Sequence, residues 1–301
     1  MHNRANPLVS VAIITYNQKE FLKEAIESVL LQNYEPLQIV VGDDGSSDGT
    51  HELLAEYQKN YPGKFVLYLG KENVGLTNNS NFVQNLCTGK YIAWLGGDDL
   101  MLPTKIIKQV RFLENNFDYN IVYHNLDVFE SSSNKHLYFY NRANDKYCGS
   151  LQTIIKYGTF NGACSSMYRR SAASPSPSFN PELPVASDWL YSVEHLNKGG
   201  KISFIDEVLG RYRRHSANVS NSQSPLAIQG FNDTIMSAEI ILKKYPQYKN
   251  EIYFWYSTYY RGRRKTEYSA SLKTSLFYNK FNIKSVIMLL FYYVTFKKIK
   301  L

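Results

Sequence analysis

Residues 91–99 read Tyr91-Ile92-Ala93-Trp94-Leu95-Gly96-Gly97-Asp98-Asp99, an apolar run followed by two glycines and two carboxylates. Successive side chains of a strand point to opposite faces, so Asp98 and Asp99 cannot both face one ligand within a regular strand. A turn just past the strand end, which glycines permit, can present both. Carboxylates together with substrate phosphates hold Mg²⁺ in proteins. The run therefore predicts a divalent-cation site, although a plain polar loop would have the same local sequence.

The first 130 residues alternate short apolar segments with amphipathic ones. The predicted strands are Leu8–Ile14, Leu37–Val41, Phe65–Leu69, Tyr91–Leu95 and Asn120–Tyr123. The predicted helices are 18–32, 49–60, 77–87 and 104–116. This alternation predicts an α/β fold with a mostly parallel sheet flanked by helices. Ligands of such sheets bind beyond the carboxyl ends of the strands. At those ends the chain has polar, glycine-rich loops, and two of them contain paired aspartates, at 43–44 and 98–99.

The sequence after residue 130 is organised differently. It predicts a helix near 150–157, a strand near 163–168, a helix at Asp188–Leu196, a strand at Lys201–Ile205, and loops at 131–134 and 174–178. From about residue 226 the pattern is helical and rich in tyrosine. We therefore predict a domain over 1–225, with halves at 1–130 and 131–225, followed by a basic helical C-terminal region over 226–301.

The composition excludes several classes of protein. With 44% hydrophobic and 20% charged residues, the chain has the composition of a globular protein with ample core. Its three cysteines lack metal-ligand spacing, and such a sparse, odd set favours a reducing compartment. No apolar run reaches the roughly 20 residues of a membrane span, and Leu8–Ile14 is too short for a signal peptide. We expect a cytoplasmic protein.

The net charge of +8 belongs to the C-terminal region. Residues 241–301 contain thirteen Lys or Arg and two acids, so they carry +11 and the rest of the chain carries −3. The basic residues flank an apolar segment over 285–296; they are Lys280, Lys284, Lys297, Lys298 and Lys300, with a second cluster at Arg261, Arg263, Arg264 and Lys265. Such a helix can lie on an anionic membrane, or it can pack on the protein or on a sister chain in an oligomer. Nucleic acid is not an expected partner, because the body is acidic and no binding motif is present.

Six segments, in this order and spacing, resemble the inverting family 2 glycosyltransferases, which have the GT-A fold. They are Val9–Asn17, Ile39–Thr50 with its Gly-Asp-Asp-Gly-Ser-Ser-Asp-Gly core, Glu72–Gly75, Tyr91–Pro103, Ser187–Leu190 and Tyr212–Ser220. The resemblance covers about residues 8–220. It implies a GT-A fold in which residues 1–130 bind the nucleotide and residues 131–225 bind the acceptor.

The resemblance also implies a pocket for a nucleotide-sugar. Asp44 would accept a hydrogen bond from the base, a uracil or thymine imide, because a carboxylate accepts from N–H donors. Thr15 and Tyr16 would line the same pocket. Further expected binding residues are Asn17, Asp43, Asn73, Asp98 and Arg213. On local sequence alone, Asp43 and Asp44 could instead form an Asx-type turn before the helix at 49.

The expected cofactor is a divalent cation, Mn²⁺ or Mg²⁺. By resemblance, Asp99 would bind the metal directly, Asp98 would contact the ribose or the metal, and His215 would contact the metal or the diphosphate. Much of the family has an additional Asp ahead of this pair, where the chain has Gly96, so the expected ligand set is thinner. By resemblance, Arg213 is expected on the phosphates. Many relatives have a further phosphate-binding basic residue where the chain has Ser80, and Arg213 or Arg214 could take that role instead.

Asp188 is the expected general base. In the family, a carboxylate at the start of a helix takes the proton from the acceptor hydroxyl as that oxygen attacks the anomeric carbon. Direct displacement then inverts the configuration. The residue before it is Ser187, where the family usually has Glu or another polar residue. Ser187 or Asp188 could instead serve only as a helix cap.

The expected function follows from these assignments. It is transfer of a sugar, as a hexosyl- or N-acetylhexosaminyl-transferase, from a UDP- or dTDP-sugar to a hydroxyl of a glycan or lipid-linked glycan in O-antigen or capsule synthesis, in the cytoplasm or at the inner face of its membrane. A dinucleotide-dependent oxidoreductase would need Gly-x-Gly-x-x-Gly after the first strand, where the chain has Thr15–Lys19. An inactive GT-A scaffold or glycan-binding module would be expected to lack Asp99 or Asp188, and both are present.

Overall fold

The computed structural model describes residues 5–170, 177–218, 225–262 and 268–295. Over these residues nine strands form one sheet. The strands are β1 (Val9–Thr15), β2 (Leu37–Asp43), β3 (Phe65–Leu69), β4 (Tyr91–Gly96), β5 (Leu100–Met101), β6 (Tyr119–Glu130), β7 (His136–Phe139), β8 (Met167–Arg169) and β9 (Lys201–Arg214). The helices are α1 (Lys19–Leu30), α2 (Thr50–Asn60), α3 (Leu76–Leu86), α4 (Lys105–Asn115), α5 (Leu151–Tyr157), α6 (Asp188–Asn197), α7 (Pro225–Lys244), α8 (Lys249–Gly262), α9 (Tyr268–Tyr278) and α10 (Ile283–Val294).

The sheet has a parallel half and a mixed half. Its strand order is β3-β2-β1-β4-β8-β6-β9-β5, with β7 paired to β6. The four strands β3, β2, β1 and β4 run parallel. Strand β8 is antiparallel to both β4 and β6, while β6 and β9 pair in parallel along most of their length. The predicted α/β fold with a mostly parallel sheet is confirmed, together with the helical C-terminal extension.

Side chains alternate between two buried faces of the parallel half. Val9, Val11 and Ile13 of β1 join a core formed with α1, α2 and α4. Helix α3 packs on β1 and β2, and Gly42 permits its close approach. A Cβ at Gly42 would lie 2.3 Å from Val83 Cγ2 of α3. Because both faces of β1 and β2 are covered, these strands are mostly apolar, as in other buried parallel sheets.

The strand predicted near 163–168 is present, but it is shorter and starts later, as β8 (Met167–Arg169). Residues Ala163–Ser165 form a short 3₁₀ turn, and β8 begins only at Met167. The turn forms because the Ser165 N–H and its hydroxyl both donate to the Gly162 carbonyl, at 2.9 and 2.7 Å. The strands predicted at Asn120–Tyr123 and Lys201–Ile205 are correct in type but much longer in the structure, and the short strands β5 and β7 were not predicted.

Contacts divide the chain into two compact units. The first comprises residues 1–151 and 159–237, and the second comprises residues 152–158 and 238–301. In the second unit α5 is tied to α8, since the Gln152 side chain donates to Glu251 at 2.6 Å. The boundary drawn from the sequence after residue 225 stays a prediction. Among the described residues, no helix is both long enough and apolar enough to cross a membrane.

Some of the sequence predictions fall on residues outside the described ranges. They concern the end of the last resemblance segment at Val219 and Ser220, the loop residues 174–176, the basic cluster at 263–265, and the terminal lysines Lys297, Lys298 and Lys300.

Candidate active site

Three strand ends bring the polar loops together. In the parallel register Thr15 of β1 pairs with Asp43 of β2, and Ile14 pairs with Gly96 of β4. The loops that follow β1, β2 and β4 therefore lie side by side at the carboxyl edge of the sheet. This is the edge at which parallel α/β sheets bind ligands.

The loop after β1 contributes the three residues predicted to line a nucleotide pocket. The Thr15 carbonyl accepts from the Asp44 N–H at 3.0 Å, and among the described residues the buried Thr15 hydroxyl has no hydrogen-bond partner. Tyr16 is 44% exposed. Asn17 adopts a positive φ of 51° and its Oδ1 accepts from the Ser47 N–H at 2.9 Å. These hydrogen bonds hold the loop, which contains one buried hydroxyl, that of Thr15, and one exposed ring, that of Tyr16.

The carboxylates of Asp43 and Asp44 are both buried and both hydrogen-bonded. Asp43 Oδ2 accepts from the Ser46 N–H at 2.9 Å and pairs with His51 Nε2 at 2.7 Å. Asp44 accepts from the N–H groups of Val74 and Gly75, at 2.8 and 2.9 Å. Asp43 therefore makes the Asx-type turn that its local sequence allowed.

Asp44, in turn, closes the loop after β3 onto the loop after β2. The loop after β3 contains Asn73, whose Oδ1 accepts from the Gly75 N–H at 3.0 Å. The described contacts of Asp44 are all to main-chain donors, so binding a base would require it to share or exchange one of them. Its role towards the nucleotide stays a prediction.

The loop after β4 brings Asp98 and Asp99 against the end of β9. Asp98 Oδ2 accepts from Asn218 Nδ2 at 3.1 Å and lies 2.9 Å from His215 Nε2. Asp99 is 5% exposed, and its Oδ1 accepts from the main-chain N–H of Arg213 at 2.9 Å. The structure thus brings Asp98 to His215 and Asp99 to Arg213, from segments more than one hundred residues apart. The metal-binding roles expected of these residues stay predictions.

Gly96, which has no side chain, leaves space next to the other oxygens of Asp98 and Asp99. A Cβ built on Gly96 would lie 2.8 Å from Asp98 Oδ1 and 3.3 Å from Asp99 Oδ2. These oxygens, one from each carboxylate, converge on the space that a side chain would fill. Among the described residues no three His, Cys, Asp or Glu side chains form a preformed metal site. Two carboxylate oxygens still fit Mg²⁺ or Mn²⁺, because such ions are commonly completed by water and substrate phosphates.

The Arg213 side chain is buried and engaged with the protein. Its Nε donates to the Asp98 carbonyl at 2.7 Å and its Nη2 donates to Glu24 at 2.6 Å. The guanidinium also lies over the rings of Phe21 and Phe129. In this arrangement Arg213 fixes the loop of Asp98 to α1, whereas the sequence predicted contact with phosphates, which stays untested.

A group of buried polar side chains lies behind the carboxylate loop. Burial raises the pKa of Asp99 well above its usual range, and the nearby charge of Asp98 adds to this effect. Burial also raises the pKa of Cys164, whose thiol is hydrogen-bonded to Asp99. Burial lowers the pKa of Lys105 to about 8, while Cys164 and Asp99 partly oppose that shift. Asp99, Cys164 and Lys105 are therefore close enough for their electrostatic interactions to shift one another's pKa.

Asp188 is the first residue of α6. Its Oδ1 accepts from the Trp189 N–H at 3.0 Å, and burial raises the pKa of its carboxyl group. Ser187 makes no side-chain capping bond to the helix, because its hydroxyl accepts from the Asn180 N–H at 2.7 Å. Burial also raises the pKa of Tyr140, with further contributions from Tyr212, Asp188 and Cys164. Tyr140 is therefore close enough to Asp188 and Cys164 for their charges to affect its pKa.

Sequence reasoning missed several residues that hold the site. They are Phe21, Glu24, Lys105, Tyr140, Cys164 and Asn218. Of these, only Asn218 could have been found from the sequence, because it follows His215 by three residues within the Tyr212–Ser220 segment. Its Oδ1 accepts from the His215 N–H at 2.6 Å, which is a local turn that this spacing favours. The others are brought in by tertiary packing of separate segments.

Comparison with known proteins agrees with this geometry. The glycosyl transferase family 2 profile matches residues 10–174. The chain belongs to glycosyl transferase family 2. An uncharacterized protein of Mycobacterium tuberculosis is 30% identical over 216 residues, which are 71% of this chain and 61% of that protein. The chain therefore spans about three fifths of the length of this relative.

Solved structures of similar proteins share the fold. Staphylococcus aureus TarS 1–349 in complex with UDP has a TM-score of 0.65 at 16% identity, covering 96% of this chain and 87% of TarS. A mannosyltransferase from Pyrobaculum calidifontis in complex with GDP-Man and Mn²⁺ has a TM-score of 0.56 at 14% identity, covering 95% of this chain and 88% of the other. At these identities the likeness supports the GT-A-like fold of this family 2 member.

Proposed function

We propose that the protein is an inverting glycosyltransferase that moves a sugar from a UDP- or dTDP-sugar to a hydroxyl of a glycan or lipid-linked glycan. The observation that carries the proposal lies at the carboxyl edge of the sheet, where Asp98 contacts His215 and Asn218 and Asp99 accepts from the main chain of Arg213. Family membership and the nucleotide and nucleotide-sugar ligands of the two similar structures support it.

The donor would bind across the three strand-end loops. The exposed ring of Tyr16 would lie against the base or the ribose, while Thr15, Asp44 and Asn73 would line that pocket. Asp98 and Asp99 would hold Mn²⁺ or Mg²⁺ through the oxygens that converge over Gly96. When bound, the metal supplies Lewis-acid stabilisation of the diphosphate leaving group.

The chain's own residues would perform the remaining chemistry. Asp188 would accept the proton of the acceptor hydroxyl while that oxygen forms the new bond at the anomeric carbon and the diphosphate departs with the bonding electrons. Burial raises the pKa of Asp188, and a raised pKa makes a carboxylate a stronger base. Arg213 and Asn218 would keep the metal-binding loop in place from behind.

The proposal also extends to the pathway in which the enzyme acts. We place the reaction in the synthesis of a cell-surface polysaccharide, such as O-antigen or capsule, with a hexosyl or N-acetylhexosaminyl donor used at the inner face of the cytoplasmic membrane. The support is the family resemblance together with the basic C-terminal region. The alternative is an inactive GT-A scaffold or glycan-binding module. The retained Asp99 and Asp188 argue against it.

Calorimetry with nucleotides tests the donor site. We expect UDP or dTDP to bind more tightly with Mn²⁺ than without, and Asp99→Asn to remove this difference. The loss should exceed the roughly 10–100-fold that substitutions beyond the ligand shell cost in metal sites. Asp206→Asn is the matched control, because its side chain is 71% exposed. Metal-dependent binding that survives Asp99→Asn would refute the ligand assignment.

A screen of nucleotide-sugars for hydrolysis distinguishes the enzyme from the scaffold. An active transferase is expected to release nucleotide slowly from its proper donor, because water can replace the acceptor. GDP-sugars belong in the screen, since one similar structure contains GDP-Man. A protein that binds nucleotide but hydrolyses and transfers none of the donors would favour the inactive alternative.

A further inference from the structure

Helix α10 has an outward-facing row of apolar side chains. Ile283, Ile287, Leu290 and Val294 follow at intervals of four, three and four residues, which places them on one helical face. They are 70%, 55%, 61% and 74% exposed, respectively. We call these four residues the α10 stripe. Leu289, on another face of the helix, packs in a small cluster with α9.

Two phenylalanines extend this apolar surface. Phe277 lies in the last turn of α9 and Phe281 lies between α9 and α10, and their side chains are 76% and 90% exposed. Single exposed apolar residues are normal on proteins, but several large ones on one short segment indicate a contact site. The second unit therefore presents a surface suited to an apolar partner.

The charges around the stripe select the kind of partner. Residues 268–301 contain six lysines and no Asp or Glu. Of these, Lys280 and Lys284 are exposed beside the stripe. Two copies of such a segment would bring like charges together, which disfavours a second copy of this chain as the occupant. An anionic lipid surface offers apolar depth and negative headgroups together.

Helix α10 can lie on such a surface but cannot cross it. Its twelve residues span about 18 Å at 1.5 Å per residue, whereas the hydrocarbon core of a bilayer is about 30 Å thick. We propose that the α10 stripe, with Phe277 and Phe281, docks in the plane of an anionic bilayer and that the neighbouring lysines contact lipid phosphates. Because this surface lies wholly in the second unit, the proposal holds whether or not the donor site acts as proposed.

Vesicle sedimentation of the full-length protein tests this docking. The probes are vesicles of phosphatidylcholine alone and of an equimolar mixture with phosphatidylglycerol. We expect binding to the mixed vesicles, weaker binding to the neutral ones, and loss of much of the difference at high salt, because headgroup attraction is screened within a Debye length. A protein that does not sediment with the mixed vesicles overturns the proposal.

Two variants separate the apolar part of the interaction from the charged part. Ile287→Glu with Leu290→Glu should weaken partitioning by about a hundredfold, since two large apolar side chains are withdrawn from burial. Lys280→Gln with Lys284→Gln should weaken it by about tenfold or more, and only on anionic vesicles. The matched control is Leu31→Glu with Phe117→Glu, which changes two side chains that are 68% and 70% exposed in the first unit.

The outcomes distinguish lipid from a sister chain and from the donor site. Stripe variants that bind vesicles like the unchanged protein overturn the proposal. So does a stripe variant that turns an oligomer into a monomer, measured by light scattering, while vesicle binding is retained. Calorimetric UDP binding should be the same in the stripe variant and the control. Lost nucleotide binding in both would indicate misfolding, in which case the lysine variants decide.

Discussion

Asp99 is held by the main-chain N–H of Arg213 and not by its guanidinium. Segment order and family resemblance were enough to predict that Asp99 and the Arg213–His215 segment meet. They were not enough to predict where the Arg213 side chain points, because its partner Glu24 lies on α1, 189 residues away in sequence. The sequence also could not show that Asp43 is already paired with His51, since such pairings depend on loop packing.

Replacing Asp188 tests the base at the residue scale. Asp188→Asn should lower the transfer rate by about 10²–10⁴-fold, the usual contribution of a positioned base, while UDP binding is retained. A base acts in its ionised form, and burial raises the pKa of Asp188. The rate of the unchanged enzyme should therefore fall with decreasing pH, through a pKa above the ordinary value of an Asp. The measurement is kcat against pH.

The rate of Asp188→Asn should not show this fall at low pH. Asp206→Asn should keep both the normal rate and the fall at low pH. If Asp188→Asn transfers sugar at the normal rate, another group is the base.

Asn218 is a second residue whose replacement is informative. It is buried, and its Nδ2 donates to Asp98 Oδ2 at 3.1 Å and to the Arg213 carbonyl at 3.2 Å. Asn218→Ala should lower the free energy of unfolding by about 1–3 kcal/mol, because buried groups lose their partners. It should also weaken Mn²⁺-dependent UDP binding, because Asp98 loses a fixed neighbour. Urea unfolding and calorimetry measure the two effects.

Asn33→Ala serves as the surface control, since Asn33 is exposed. Unfolding and nucleotide binding that are equal in the two alanine variants would show that Asn218 does not support the site.

How well each helix and strand could be predicted depends on how clear its local sequence pattern is. The four parallel strands agree with the prediction to within two residues at each end, because their apolar runs end in polar or glycine-containing loops. Strand β5 has two residues and β7 is exposed along its length. Neither strand therefore shows the alternation of apolar and polar residues by which strands are predicted. Strands β6 and β9 run on past their apolar starts as partners of one another, and local sequence cannot show such pairing.

The contact between α3 and the sheet gives a prediction at the element scale. Gly42→Ala should lower the free energy of unfolding by about 1–3 kcal/mol, the usual cost of overpacking, because the new Cβ would lie 2.3 Å from Val83 Cγ2 and 2.4 Å from Asn79 Oδ1. Gly230→Ala is the opposing control. It lies within α7, where the nearest atom to a new Cβ is Val185 Cγ1 at 3.4 Å.

This control should stabilise the protein by about 0.5–1 kcal/mol, the helix penalty of glycine. Urea unfolding measures both variants, and equal midpoints would contradict the packing argument.

At the scale of the whole molecule, charge and structure divide at similar places. The first unit contains the strand-end loops, while residues 241–301 carry a charge of +11 and lie in the second unit. The composition was sufficient to predict this separation of an acidic body from a basic end. It was not sufficient to predict that residues 152–158 group with the C-terminal helices. The local sequence of a seven-residue helix does not indicate which distant helices it packs against.

The grouping of α5 with the C-terminal helices limits how the gene can be cut or recombined. The chain enters the second unit at residue 152, leaves it after 158 and returns at 238. A fragment ending near residue 225 would keep α5 but lose α8, together with the Gln152–Glu251 bond and the Trp255 ring packed against Gly158. Exchange of the C-terminal region between relatives by a single crossover would therefore mismatch α5, and a functional chimaera needs that helix to be replaced as well.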